Sequence, residues 1–149
     1  KGIFDFLQMF KEIKFNAQLS IAGDPEGKNF SQPNINFLGY IADPKSLINV
    51  YDNHNILILP SYTEATPYVV DESLSRKRPV IIFKDIEYIV RGKKGIFVIN
   101  RDKELFFKTT KYIMENYIEI QKDIENNILQ TKNDMIKQIS DIIKFQSFK

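Results

Sequence analysis

The chain has 149 residues, 43% of them hydrophobic and 27% charged, the balance of an ordinary globular domain large enough to bury one core. Cysteine is absent and histidine occurs once, at His54, which excludes disulfides, thiolate metal sites and a multi-histidine metal centre within these residues. A net charge of +2 is too small to argue for nucleic acid, and no apolar run approaches the roughly eighteen residues of a membrane-spanning helix.

Ile3, Phe4, Leu7, Phe10 and Ile13 recur at helical spacing and predict an amphipathic helix from residue 2 to about 14. Residues 17–22 read as a strand ending at Gly23, and GDPEGKNFSQPN as a loop by its glycine, proline and asparagine. A short strand over 34–38 ends at Gly39. Asp43-Pro44 is a helix start, with an acceptor at the N-cap and proline at the first helical position, and that helix runs to Tyr51. Residues 55–59 predict a strand. Thr66-Pro67 repeats the start pattern for a helix reaching about Arg76. Strands over 79–83 and 96–99 flank a short helix over 86–90. From Asp102 the chain turns helical, with Leu105, Phe106, Ile113, Tyr117, Ile120, Ile124 and Ile128 on one stripe. Asn133-Asp134 is a break before a last helix carrying Ile136, Ile139 and Ile143.

Strands alternating with helices predict one α/β domain over residues 1–149, a Rossmann-like, doubly wound parallel sheet of about five strands with extra carboxyl-terminal helices. Such a domain ordinarily begins on a strand. This chain opens inside a helix, which reads as a fragment lacking the first strand.

The segment PSYTEATPYVVDE, from Pro60 to Glu72, carries the chemistry. It places Glu64 in a turn after a strand and Glu72 in the following helix. Strand, polar loop and helix in that order put backbone N–H groups and two acids at the carboxyl edge of a sheet, where ligands bind in open α/β folds. A phosphate suits the helix N-terminus. Carboxylates repel phosphate but accept from hydroxyls, and hydroxyls beside phosphates describe a ribose or a sugar. Acids also suit a helix N-terminus with no ligand present, so spacing alone leaves a purely structural role open.

The same segment resembles the E-x7-E signature of the retaining, GT-B-fold glycosyltransferases of family 4, the group 1 glycosyl transferases. INFLGYIADPKSLINVYDNHNILILPS is similar to the stretch leading to the signature strand, RPVIIF to the strand after it, and KGIFVINRDKE to a later strand and loop. Residues 1 to about 105 can be laid on the family's carboxyl-terminal, donor-binding domain. The last third resembles nothing distinctive.

The resemblance implies a domain that binds a nucleotide diphosphate sugar, without cofactor or metal, as half of an enzyme of bacterial surface polysaccharide or glycolipid synthesis. It implies that Glu72 accepts from the ribose, and that Glu64 lies by the donor sugar and assists catalysis. The backbone at Ala65, Thr66, Pro67 and Tyr68 would face phosphates or sugar, Ala65 standing where relatives usually carry glycine. Lys1 matches the lysine of a Lys-Gly pair that neutralises the diphosphate as charge grows on it; it reads equally as a solvated lysine. Tyr40 and Ile41 match nucleobase contacts, though Tyr40 also reads as packing, and Gly23 shapes the turn beside the cleft. The acceptor, lipid-linked in many relatives, would be held by a missing amino-terminal domain of the same protein. This location is cytoplasmic, or peripheral on the inner face of the membrane, with no nucleic-acid partner.

Other residues read more plainly. His54 precedes a strand and is structural. Arg76-Lys77-Arg78 marks a solvated helix end or, less simply, a patch for anionic lipid. Lys77 stands where relatives end a helix with glycine, so a left-handed backbone is expected there. FKDIEYIV is shorter than the relatives' Gly-Gly loop and lacks glycine, with Glu87 at the place of its acid. Two alternatives remain: a non-catalytic Rossmann-like binding or scaffolding module, and another GT-B-like enzyme such as a sugar-nucleotide epimerase, whose relatives lack this signature. Apolar residues near 136–148 are expected to be left exposed for the absent domain.

Overall fold

A computed structural model of the chain describes residues 2–12, 16–23 and 33–127. Lys1, Ile13, most of the loop after Gly23, and everything from Ile128 onward lie outside the described residues, and with them the expectations for Lys1, for the Asn133-Asp134 break and for residues 136–148.

The first helix, α1 (Ile3–Lys11), turns Phe6, Leu7 and Phe10 into the core. Strand β1 (Leu19–Ala22) runs parallel to β2 (Ile35–Gly39), with Leu19 opposite Ile35. Helix α2 (Pro44–Asp52) starts where its sequence says: Asp43 accepts from the Ser46 N–H at 2.8 Å and Pro44 opens the first turn. Strands β3 (Leu57–Leu59), β4 (Val80–Phe83) and β5 (Ile96–Ile99) form a second parallel group in the order β3-β4-β5. Between them lie α3 (Tyr68–Ser75) and a 3₁₀ helix (Lys84–Ile89). Helix α4 (Lys103–Glu115) is capped by Asp102, which accepts from the Leu105 N–H at 2.8 Å, and a further helix, α5, covers residues 117–127.

Each of the five strands among the described residues runs parallel to its bonded neighbours, yet hydrogen bonding gathers them as a pair and a triple rather than as one sheet of five. Local sequence marks a strand and leaves its partners open. One core nevertheless joins both groups, taking in Ile35 from the pair and all of β4 from the triple. Val80, Ile81, Ile82 and Phe83 are each 0% exposed. Successive side chains of a strand point to opposite faces, so β4 is covered on both, as a doubly wound α/β layer requires. Phe6 meets Phe106 edge-on at 5.3 Å and Phe83 at 6.3 Å, which packs α1 and α4 over the end of β4.

Two expectations shift. Pro67 sits at the N-cap with ψ 91, so helical geometry begins at Tyr68, and Thr66 makes no capping bond. The Val70 N–H reaches back three residues to the Pro67 carbonyl at 3.0 Å, tightening that first turn. The stripe from Leu105 onward is likewise two helices rather than one. At Asn116 (φ −112, ψ 21) the side-chain amide donates to the Tyr112 carbonyl at 2.8 Å and competes with the helical bond. The buried face survives the kink, with Phe106, Ile113, Ile120 and Ile124 all in the core, while Leu105 is left 40% exposed.

Helix α5 is docked tightly. A Cβ on Gly95 would fall 2.3 Å from Ile124 Cγ1. The Asn127 amide imitates a peptide group, accepting from the Lys94 N–H at 2.8 Å and donating to the Lys94 carbonyl at 2.6 Å.

Candidate functional site

The Pro60–Glu72 segment leaves the carboxyl end of β3, crosses a short loop and enters α3, so Glu64 lies just beyond a strand's carboxyl end as expected. Ser61 is buried, and its hydroxyl donates to Glu64 Oε1 at 2.5 Å. The hydroxyl of Tyr88, on the 3₁₀ helix, accepts from the Glu64 N–H at 3.0 Å and donates to the Glu64 carbonyl. Arg101, just past β5, donates from Nη2 to the Pro60 and Ser61 carbonyls at 3.1 and 3.0 Å and from Nε to Asp85 at 3.0 Å. Its guanidinium lies over the rings of Tyr62 (3.9 Å) and Phe83 (4.5 Å). The Tyr62 hydroxyl in turn bonds Asp5 of α1, whose carboxylate holds the phenol protonated above its usual range.

Gly2 completes this junction. Its φ is +81, and a Cβ there would lie 1.9 Å from the Pro60 carbonyl oxygen. Only glycine lets the start of α1 approach the end of β3 so closely. Lys1, its neighbour in the proposed Lys-Gly pair, lies outside the described residues.

Glu72 is on the second turn of α3, half-buried, with Oε2 accepting from the Tyr51 hydroxyl at 2.9 Å. Burial, and then the bond and charge of Glu72, push the Tyr51 phenol well above its usual range. Each acid therefore has one oxygen engaged by a neighbouring hydroxyl, and the second of each keeps its capacity to accept. Ala65, Thr66 and Tyr68 are exposed along the loop and helix start, and Pro67 is half-buried.

At the β1–β2 pair, the Gly23 N–H donates to the Gly39 carbonyl at 2.8 Å, and both glycines have positive φ, 113 and 67. Gly23 thus shapes a turn where two strands end. Tyr40 follows at 83% exposure, too open to be a packing residue, and Ile41 is half-buried.

The basic cluster finds its partners within the domain. Arg76 pairs with Asp52 at 2.5 Å, and Lys77 with Glu125. Arg78 donates to the Tyr51 and Asp52 carbonyls at 3.1 and 2.9 Å, closing the end of α2, and to the Tyr117 hydroxyl at 3.1 Å. The cluster is the solvated helix end expected from sequence, with Arg76 and Lys77 exposed and Arg78 half-buried, and its partners come from α2 and α5 because the end of α3 meets both. His54 has Nδ1 2.6 Å from the Val50 carbonyl, a structural role. Sequence reasoning did not single out Ser61, Tyr51, Tyr88 or Arg101. Only Tyr51 carried a signal, as an aromatic residue on the inner face of a short polar helix.

The family model for glycosyl transferases group 1 matches residues 1–116. The chain belongs to that family. Among curated proteins, the chain is similar to the capsular polysaccharide biosynthesis glycosyltransferase CapM of Staphylococcus aureus, 28% identical over 118 residues. The match covers 68% of this chain and 30% of that protein, so the chain spans less than a third of its relative's length. No helix among the described residues is long and apolar enough to cross a membrane.

Proposed function

We propose that this domain binds the nucleoside diphosphate sugar donor of a retaining glycosyltransferase, whose whole protein transfers the sugar to an acceptor hydroxyl in surface polysaccharide or glycolipid synthesis. Glu72 accepts from the ribose hydroxyls and Glu64 from those of the sugar. The diphosphate sits against the N-terminus of α3, facing Ala65 to Tyr68, where the helix dipole favours it. Lys1 supplies the cation that a metal supplies in other transferases. Tyr40 and Ile41 meet the base, and the turn at Gly23 keeps that cleft open. The leaving phosphate takes the acceptor's proton, so no protein nucleophile is required. The acceptor, lipid-linked at the cytoplasmic face of the membrane, is held by an amino-terminal domain of the same protein. The capsular polysaccharide relative supports the pathway class.

One observation carries this reading. Glu64 and Glu72 stand on one loop–helix unit at a parallel sheet's carboxyl edge, each with one oxygen braced by a hydroxyl. Calorimetry of the chain against UDP, GDP and ADP tests it. One of the three should bind, and Glu72→Ala should weaken that binding roughly 10- to 100-fold, as expected for one or two lost charge-assisted bonds. Glu64→Ala should matter little for a diphosphate that carries no sugar. The site is wrong if none binds at millimolar concentration, or if Glu72→Ala binds as wild type does.

A further inference from the structure

Glu64 stands on a loop, and a loop does not by itself aim a side chain. The contacts that fix it come from residues outside the signature. Tyr88 spends its hydroxyl on both backbone groups of Glu64. A phenol has one proton, and here that proton is committed to the Glu64 carbonyl, so none is left to donate to a ligand. Arg101 is committed as well: Nε to Asp85, Nη2 to the carbonyls of Pro60 and Ser61, and its plane against Tyr62 and Phe83. Its side chain is 22% exposed and turned toward the protein, unlike a cation waiting for a phosphate. Ser61, whose carbonyl Arg101 holds, is the residue whose hydroxyl braces Glu64.

We propose that Tyr88 and Arg101 are positioning residues that together clamp the Pro60–Glu64 loop and aim the Glu64 carboxylate at the donor sugar. This rests on the donor-site reading above and extends it to residues of two other elements. Tyr88 comes from FKDIEYIV, the short glycine-free loop that departs from the family pattern, so the departure itself supplies the brace. Arg101 acts through a planar fork of donors stacked on rings, which a lysine cannot reproduce.

The test is calorimetry on the intact chain with UDP against UDP-glucose and GDP against GDP-mannose, for wild type, Glu64→Ala, Tyr88→Phe and Arg101→Lys. Wild type should bind one sugar nucleotide more tightly than its parent diphosphate, and Glu64→Ala should lose that difference. Tyr88→Phe and Arg101→Lys should each weaken the sugar nucleotide roughly 3- to 10-fold while leaving the diphosphate's affinity as it was. A merely structural role would lower both together. Amide hydrogen exchange gives a ligand-free readout, and residues 61–66 should exchange faster in both variants. The proposal is overturned if wild type gains nothing from the sugar, if both variants keep the gain that Glu64→Ala loses, or if exchange over 61–66 is unchanged. Failure of the donor site itself shows differently, as wild type binding none of the four compounds.

Discussion

The Tyr51 hydroxyl donates to Glu72 Oε2 at 2.9 Å, joining the last turn of α2 to the second turn of α3. The bond serves two purposes. It supplies a donor to a half-buried carboxylate, and it fixes the rotamer from which Glu72 presents its other oxygen. Tyr51→Phe keeps the ring and removes only the proton donor. It should lower stability by about 1 kcal/mol and weaken diphosphate binding roughly 3- to 10-fold. Urea denaturation and calorimetry measure the two effects, and an unchanged affinity would show that Glu72 needs no such support.

The same pair sets a dependence on alkaline pH. Burial first, then the bond and charge of Glu72, raise the Tyr51 pKa above its usual 10.0. The phenol is thus favoured in its neutral form by the fold. Its contribution is complete below the unfolded pKa near 10 and is lost as pH climbs toward the folded value. Tyr62, raised by its bond to Asp5, pulls in the same direction. Thermal stability should therefore decline above about pH 10, and less steeply in Tyr51→Phe. Parallel curves for the two proteins would remove Tyr51 from this account.

Lys77 ends α3 in the left-handed conformation, φ 56, as its place in the family pattern led us to expect. The Arg78 N–H bonds the Ser73 carbonyl and the Lys77 N–H that of Leu74, both at 2.9 Å, the paired bonds of a Schellman ending. Glycine adopts this conformation freely, whereas a side chain costs roughly 1 kcal/mol. Lys77→Gly should stabilise the domain by about that much, less the few tenths that its exposed pair with Glu125 contributes. The urea midpoint should rise with an unchanged slope, and a lower midpoint refutes the expectation.

Gly2 and Gly92 make a matched pair of positive-φ glycines, +81 and +75. Alanine at Gly92 would meet open space, but at Gly2 it would meet the Pro60 carbonyl. Gly92→Ala should lose roughly 1–2 kcal/mol from backbone strain alone. Gly2→Ala should lose roughly 2–4 kcal/mol, because overpacking adds to the strain. Equal losses in side-by-side denaturation would mean that α1 and the end of β3 are not in contact.

The sequence alone determined what depends on neighbours along the chain. Short runs bounded by turn residues marked the five described strands, and helical spacing or a capping pattern the helices; Asp43 and Asp102 marked two helix starts; and the glycine position held by Lys77 marked a left-handed ending. The E-x7-E spacing placed Glu64 and Glu72 at a strand–loop–helix junction, because strand, turn and helix are local choices. Tertiary structure decided what depends on residues far apart. Pairing in two strand groups, the contacts of Tyr88 with Glu64, of Arg101 with Pro60, Ser61 and Asp85 and of Tyr51 with Glu72, and the pairing of Arg76, Lys77 and Arg78 within the domain all join positions at least 16 residues apart, as from Asp85 to Arg101. No periodicity or motif links such residues. They meet only because burying the apolar faces of α1, α3 and α4 against β4 brings their elements together, and polar side chains at those seams must then find partners.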